Sequence, residues 1–383
     1  MTQKIIYLTP SQYQEVLEIE YHKRNFLSRS LYTIEDIKKE MKRCHIRMKR
    51  VREVSIRSGP FTPIDFTEYI GQEKAKLILN NYIQATTERK AVFPHCLIHG
   101  KAGFGKTTLA KILIKTLKKE GVEVVASSLE PGEIQTKLGD LQSRILFIDE
   151  IHSLTRDQVE QLYQAMETFT MNGQPLEPFT LIGATTELGE IIKDRKPFYD
   201  RFKIILELED YTIPELMKIG KQFQEQSFPK DVLETKIIEQ IATNSRFTPR
   251  AIIRLTEATV YFKGNLATVL SNFGILYQGY TDKDLKILQY LSKTNVVGLQ
   301  GIASYLDTSV QNYLYEIEPY LIKSEVLFRT PRGRAISDKG RKLLPLLAKR
   351  KATWNDTQKK HSTSWGTSSQ KSTTGSITTS SNS

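Results

Sequence analysis

An apolar run, Cys96 to Ile98, leads straight into Gly100-Lys101-Ala102-Gly103-Phe104-Gly105-Lys106-Thr107. Thr108 to Leu117 then carries apolar residues at helical spacing. A buried strand, a glycine loop and a helix in this order make a phosphate-binding loop. Gly100, Gly103 and Gly105 let backbone N–H groups turn inward around phosphate oxygens. The helix start, with Phe104, Lys106, Thr107 and Thr108, adds positive partial charge at the same point. Lys106 can reach the β- and γ-phosphates, and the Thr107 hydroxyl can sit on Mg²⁺. Glycine loops do occur by chance, but the full eight-residue pattern in this context is rarely accidental. The fold class that accommodates it is α/β, with a parallel sheet.

A second signal strengthens the first. Arg144-Ile145-Leu146-Phe147-Ile148-Asp149-Glu150 is an apolar run ending in two acids, as a parallel strand buried on both faces would be. Its C-terminal end is where open α/β sheets place ligand chemistry. Asp149 there can hold the Mg²⁺ shell, and Glu150 can act as general base on water. Phe179 to Ala184 reads as a further buried strand ending in Thr185-Thr186, hydroxyls within reach of a γ-phosphate. Asp200-Arg201-Phe202 precedes one more strand, Ile204 to Leu208. In a ring of subunits Arg201 can reach a neighbour's nucleotide.

The 383 residues suffice for two or three domains. No apolar run is long enough to span a membrane, and the first residues lack a signal-peptide core, so a cytoplasmic location is expected. The two cysteines, Cys44 and Cys96, form no motif and argue for a reducing compartment. No cysteine–histidine cluster has metal-ligand spacing, so Mg²⁺ would arrive with the nucleotide. The net charge of +12 favours a polyanionic partner.

Residues 1–59 form an N-terminal extension with helices expected from Pro10 to about Tyr21 and from Thr33. The second leads into a basic run, Lys38 to Arg52, which is either a DNA-contacting arm or a solvated helix face. A nucleotide domain spans 60–211 and a helical lid 212–280, in which Thr248 caps a helix with Pro249 and Arg250 in its first turn. Within the nucleotide domain, between the strand ending in Asp149-Glu150 and the one ending in Thr185-Thr186, Thr168 to Leu176 reads as a short hairpin with an Asn-Gly turn. Residues 281–348 read as three helices and two short strands around a basic turn, Arg329-Thr330-Pro331-Arg332-Gly333-Arg334, which is the outline of a winged helix. The turn suits phosphate or minor-groove contact, so Arg329, Arg332 and Arg334 are candidate DNA ligands. From Lys349 the apolar residues thin out and Ser and Thr dominate, so residues 349–383 are expected to be a disordered tail.

With these residues in view, the chain resembles the RuvB family of AAA+ ATPases over residues 60 to 346. The matching segments are Tyr69-Ile70-Gly71-Gln72, the Gly100–Thr108 loop, Leu146 to His152, Phe179 to Thr186, Asp200-Arg201-Phe202 and Thr248-Pro249-Arg250. Glu318-Pro319-Tyr320-Leu321-Ile322 and Arg329 to Arg334 match in the C-terminal part. The resemblance implies an AAA+ ATPase domain, a lid and a winged helix. It also implies homo-hexameric rings that encircle double-stranded DNA and move four-way junctions with ATP hydrolysis. Carried over by position, Lys106 and Thr107 form Walker A, and Asp149 and Glu150 form Walker B. Thr186, with Thr185 as neighbour, is sensor 1. Arg201 is the arginine finger, and Arg250 is sensor 2. Tyr69, Ile70 and Tyr211 lie at the nucleotide base.

The chain departs from the family in places. Lys101-Ala102 stands where the family usually has Pro-Pro, and Glu187 stands where it usually has Arg. Tyr199 and Lys203 flank the Asp-Arg-Phe core unusually. The hairpin at 168–177 is shorter than the one on which the family docks its RuvA partner. That argues for a divergent member with a different loading partner, such as one carried by a mobile element. Two other functions fit the same motifs: a clamp-loader-like or helicase-loader-like remodeller of DNA-bound proteins, and an ATP-switched winged-helix regulator.

Overall fold

A computed structural model describes residues 5–8, 47–50, 61–119, 121–139, 145–171 and 173–366. The chain divides into two units, Met1–Phe61 and the remainder from Thr62. In the first, β1 (Ile5–Leu8) pairs in parallel with β2 (Arg47–Arg50), Ile5 opposite Arg47. Part of the basic run is therefore strand rather than helix. The two helices expected upstream of it lie outside the described residues.

The second unit opens with α1 (Glu73–Glu88) and is built on a five-stranded sheet. Its strands are β3 (Cys96–His99), β4 (Gly121–Val125), β5 (Ile145–Asp149), β8 (Thr180–Thr185) and β9 (Ile204–Glu207), in spatial order β4-β5-β8-β3-β9. Every neighbouring pair is parallel. Because side chains alternate along a strand, Cys96 and Ile98 enter the core on one face and Leu97 enters the core on the other. Ile145 and Phe147 alternate with Leu146 and Ile148 in the same way. Burial on both faces explains the uninterrupted apolar runs.

One face carries α1 and α2 (Lys106–Thr116), continuous with the core of the lid. The other carries α3 (Glu133–Gly139), α4 (Arg156–Thr168), α5 (Leu188–Asp194) and α6 (Lys196–Tyr199). Between α4 and β8 lies the hairpin of β6 (Thr170–Met171) and β7 (Gln174–Pro175), two residues per strand. The lid is four helices, α7 (Ile213–Ser227), α8 (Thr235–Thr243), α9 (Pro249–Tyr261) and α10 (Leu266–Asn272). Thr212 opens α7 with a capping box to Glu215, and Thr248 caps α9 by accepting from the Ala251 N–H.

A small hairpin of β10 (Ile275–Tyr277) and β11 (Tyr280–Thr281) leads into the last domain. There α11 (Asp282–Thr294), β12 (Val296–Val297), α12 (Leu299–Tyr305) and a helix from Val310 to Lys323 precede β13 (Leu327–Thr330) and β14 (Gly333–Ile336). The Val310–Lys323 helix includes a π-helical stretch at Tyr313–Ile317. The three strands order as β12-β14-β13, all antiparallel, over a separate core that includes Leu288, Leu321 and Ile336.

The final helix, α13 (Asp338–Gly366), runs past Lys349 into the stretch expected as a tail. The first turns of α13 pack Leu343, Leu344 and Leu347 against the winged-helix core, Lys351 pairs with Asp282, and the Trp354 indole donates to Ser271 of the lid. The remainder of the Ser/Thr-rich stretch lies outside the described residues.

Candidate active site

The loop residues Gly100 to Gly105 connect β3 to α2. Gly103 and Gly105 have φ of +77° and +91°, a region that L side chains rarely adopt. A Cβ on Gly105 would stand 2.9 Å from the Tyr69 hydroxyl, and one on Gly103 would stand 3.0 Å from Arg250 Cβ. Backbone, and nothing larger, fits between these neighbours. The loop is braced from behind by buried Tyr69 and Tyr211. Tyr211 donates to Phe104 O at 3.1 Å, and its hydroxyl lies 3.5 Å from that of Tyr69. Tyr69 reaches Gly105 O at 3.3 Å, and Phe104 packs edge-on to Tyr211. Ile70 is half-buried beside them against the sheet core.

Lys106 is the first residue of α2 and is buried. Its ammonium donates to Gly100 O at 3.0 Å and Lys101 O at 3.2 Å. Burial pulls its pKa down, with the charges of Glu150 and Asp149 working against the fall and Arg250 adding to it. Those causes put Lys106, both acids and Arg250 in one electrostatic neighbourhood. Thr107 donates to Asp149 Oδ2 at 2.6 Å, and Thr108 follows in the same helical turn. A hydroxyl and a carboxylate held together at the end of β5 are the oxygen donors a hard divalent cation takes. The glycine cradle, the Lys106 ammonium and this donor pair all fit a Mg²⁺-bound nucleoside polyphosphate.

Glu150 sits in the left-handed region, φ +50°, which turns the chain sharply out of β5. Its Oε2 accepts from Thr186 Oγ1 at 3.2 Å. Thus the hydroxyl at the end of β8 aims the candidate base. His152 was not anticipated from the sequence, although it lies two residues past the acids. Its Nδ1 lies 3.0 Å from Thr185 Oγ1 and 3.3 Å from Glu150 Oε2, and its Nε2 lies 3.6 Å from Glu187 Oε1. The Arg195 guanidinium holds the His152 and Leu154 carbonyls at 3.1 and 2.6 Å. Gln72 was also missed. Its amide exchanges two 2.8 Å hydrogen bonds with the Glu209 backbone and ties the start of α1 to the chain beyond β9.

The lid meets the loop directly, since the Arg250 N–H reaches Gly103 O at 3.4 Å. Arg250 is exposed and lines a cavity of ≈ 600 Å³ together with Lys101, Ala102 and Phe104. Winged-helix residues Tyr315, Tyr320 and Lys323 line its other side. Burial raises the pKa of Tyr315, and the nearby Glu187, immediately after Thr186, raises it further.

Arg201 is held elsewhere. Its guanidinium bonds the Tyr163 hydroxyl at 2.8 Å and Glu167 at 2.7 Å on α4, and stacks over the Tyr163 ring. Its Nε has no hydrogen-bond partner among the described residues.

Residues 61–208 match the family model of the Holliday junction DNA helicase RuvB P-loop domain, and residues 277–345 match the RuvB C-terminal winged helix domain. A Holliday junction branch migration complex subunit RuvB from Ehrlichia ruminantium is 38% identical over 301 residues, covering 71% of this chain and 88% of that protein. The chain belongs to the RuvB family. A relative of the same name from a Wolbachia of Brugia malayi is 35% identical, covering 77% of this chain and 95% of its own. The solved structure of the Thermotoga maritima RuvB Holliday junction branch migration motor superposes with a TM-score of 0.67 at 35% identity, covering 74% of this chain and 97% of that one. Family membership makes the loop described above a nucleotide-binding P-loop.

The winged helix separates its three arginines. Arg334 gives Glu318 two hydrogen bonds, of 2.6 and 3.3 Å, and Arg329 gives it one of 2.8 Å. Glu318 is fully buried, the Arg334 side chain is 13% exposed and that of Arg329 is 60% exposed. Arg334 is therefore largely structural in this conformation. Arg332 stands exposed at the tip of the turn. The sequence treats the three alike, because the partner that divides them lies eleven residues before the first.

Proposed function

We propose that this chain is an ATP-hydrolysing motor that moves double-stranded DNA and drives branch migration at Holliday junctions. The observation that supports it most is the pair of hydrogen bonds at the ends of β5 and β8. Thr107–Asp149 presents a cation site, and Thr186–Glu150 aims a general base, both beside a P-loop joined to a winged helix.

In this reading Lys106 leaves the Gly100 and Lys101 carbonyls to hold the β- and γ-phosphates of ATP. Thr107 and Asp149 hold Mg²⁺, which supplies positive charge against the phosphoryl group when bound. Glu150, steadied by Thr186, accepts a proton from the attacking water. Arg250 approaches from the lid and carries the nucleotide's state to it. Tyr69, Ile70, Phe104 and Tyr211 shape the base end of the loop. Arg201 serves a neighbouring subunit in a homo-hexameric ring, where such an arginine contributes on the order of 10³–10⁵ in turnover. Arg332 and the exposed face of Arg329 meet duplex phosphates. The motor acts in the cytoplasm on junction DNA. The two-residue strands of the β6–β7 hairpin favour a loading partner other than RuvA.

ATP turnover and junction migration by the purified chain test the proposal. A synthetic four-way junction should stimulate turnover and be resolved into duplex arms. Glu150→Gln should bind nucleotide normally and lose roughly 10²–10⁴ in turnover. Normal turnover by that variant would remove Glu150 from the role of base. An unmoved junction, with and without RuvA, would refute the motor.

A further inference from the structure

The phosphate loop is connected to the winged helix by a line of polar contacts. The Lys106 ammonium donates to Lys101 O at 3.2 Å. The Lys101 side chain reaches across to Asp210, Nζ to Oδ1 at 2.7 Å. The other oxygen of the same carboxylate, Oδ2, meets Lys323 Nζ at 3.2 Å. Asp210 follows β9, and Lys323 ends the winged-helix segment that begins at Val310. Lys323 Nζ also stands 4.0 Å from the centroid of the Phe247 ring, just ahead of the α9 cap at Thr248. The Asp210 carboxylate therefore joins the phosphate loop to the winged helix, one oxygen to each, and Lys323 adds a contact to the lid through Phe247. Burial works to raise the pKa of Asp210, yet the two lysines outweigh it and leave it below the ordinary carboxylate value.

We propose that Asp210 is a positioning residue that transmits nucleotide occupancy from the phosphate loop to the winged helix, and so sets duplex affinity. This rests on the motor reading above. When phosphates draw the Lys106 ammonium off Lys101 O, the loop tip loses the donor that holds it. Lys101 moves with its own carbonyl and carries Asp210 with it. Lys323 then follows or releases, and the winged helix shifts against the lid. Side-chain exposures of 47% for Lys101, 39% for Asp210 and 26% for Lys323 make each link weak. A weak link suits a contact that must break once per cycle.

The test measures duplex affinity by fluorescence anisotropy on the full chain, with ADP and with a non-hydrolysable ATP analogue. The readout is the ratio of the two dissociation constants. The wild type should show a ratio well away from one. Asp210→Asn, nearly isosteric, and Lys323→Ala should each move it toward one by about threefold to fivefold. The double variant should add little, because both changes cut one line. Lys323→Ala should leave DNA-free ATP turnover within about twofold of wild type, as expected of a residue outside the reacting atoms. If Lys323 merely touches DNA, both dissociation constants rise together and the ratio stands, which overturns the proposal. A wild-type ratio of one overturns it as well, since there would be no coupling to transmit. Failure of the wild type to bind nucleotide or duplex at all would instead overturn the motor reading.

Discussion

Acid should destabilise this protein through one partly buried histidine at the start of β3. His95 immediately precedes β3, and its Nδ1 accepts the Leu181 N–H at 2.9 Å. An amide can only donate, so the ring is neutral at Nδ1. Phe179 and Phe169 flank it, with ring centroids 5.6 and 6.5 Å away. Burial pushes the imidazole down from 6.5 to about 4, with nearby Lys203 adding to the fall and a hydrogen bond to the Met166 carbonyl opposing it. The folded state therefore refuses a proton that the unfolded chain takes up below pH 6.5. Stability is full above that pH and is lost as pH falls toward 4. Each pH unit in the window costs about 1.4 kcal/mol, giving about 2 kcal/mol by pH 5 and about 3 by pH 4. Urea unfolding between pH 7 and pH 4 measures the loss, against His95→Asn to subtract the carboxylates. The variant keeps an acceptor near Nδ1 and lacks the titration, so its curve should be flatter by that amount. Parallel curves for the two proteins, or a His95 resonance titrating near 6.5, would refute the reasoning.

Three further outcomes are expected. Glu318→Gln leaves the largely buried Arg334 without its counter-charge, and should lower unfolding free energy by roughly 3 kcal/mol, seen in urea melts, with Arg332→Ala unchanged in the same assay. Arg332→Ala should weaken duplex binding whatever the sequence, and reduce the slope of log affinity against log salt by about one. Arg201→Ala should assemble with wild-type secondary structure and lose turnover by at least about 10³-fold. Mixing it with Lys106→Ala should restore partial activity, because each variant then supplies what the other lacks at a shared site. An unrestored mixture would place Arg201 outside the neighbour's site.

The phosphate loop, the acid pair at the end of β5 and the hydroxyls ending β8 are legible in the sequence, because each is a local pattern. An apolar run must be a strand buried on both faces, and the residues at its end must then lie along one edge of the sheet. The helical character of the lid and the winged-helix outline follow from the same periodicities, whereas the strand order, with β8 inserted between β5 and β3, does not. The β1–β2 pair was not legible, since Arg47–Arg50 has no apolar alternation. Nor was the reach of α13, which depends on Trp354 finding Ser271 of the lid.

What the chain alone decides is which groups are present: a glycine loop, an acid pair at a strand end, strand-end hydroxyls and a basic turn. Tertiary structure decides how that chemistry is shared out. It sets Glu318 beneath Arg334 and leaves Arg332 outside. It places His152 between Glu150 and Glu187, and gives Arg201 to α4 rather than to its own loop. Each of these depends on a partner distant along the chain or on another element. Hydrophobic spacing says which face of an element is buried, but not which charged group waits on the face opposite.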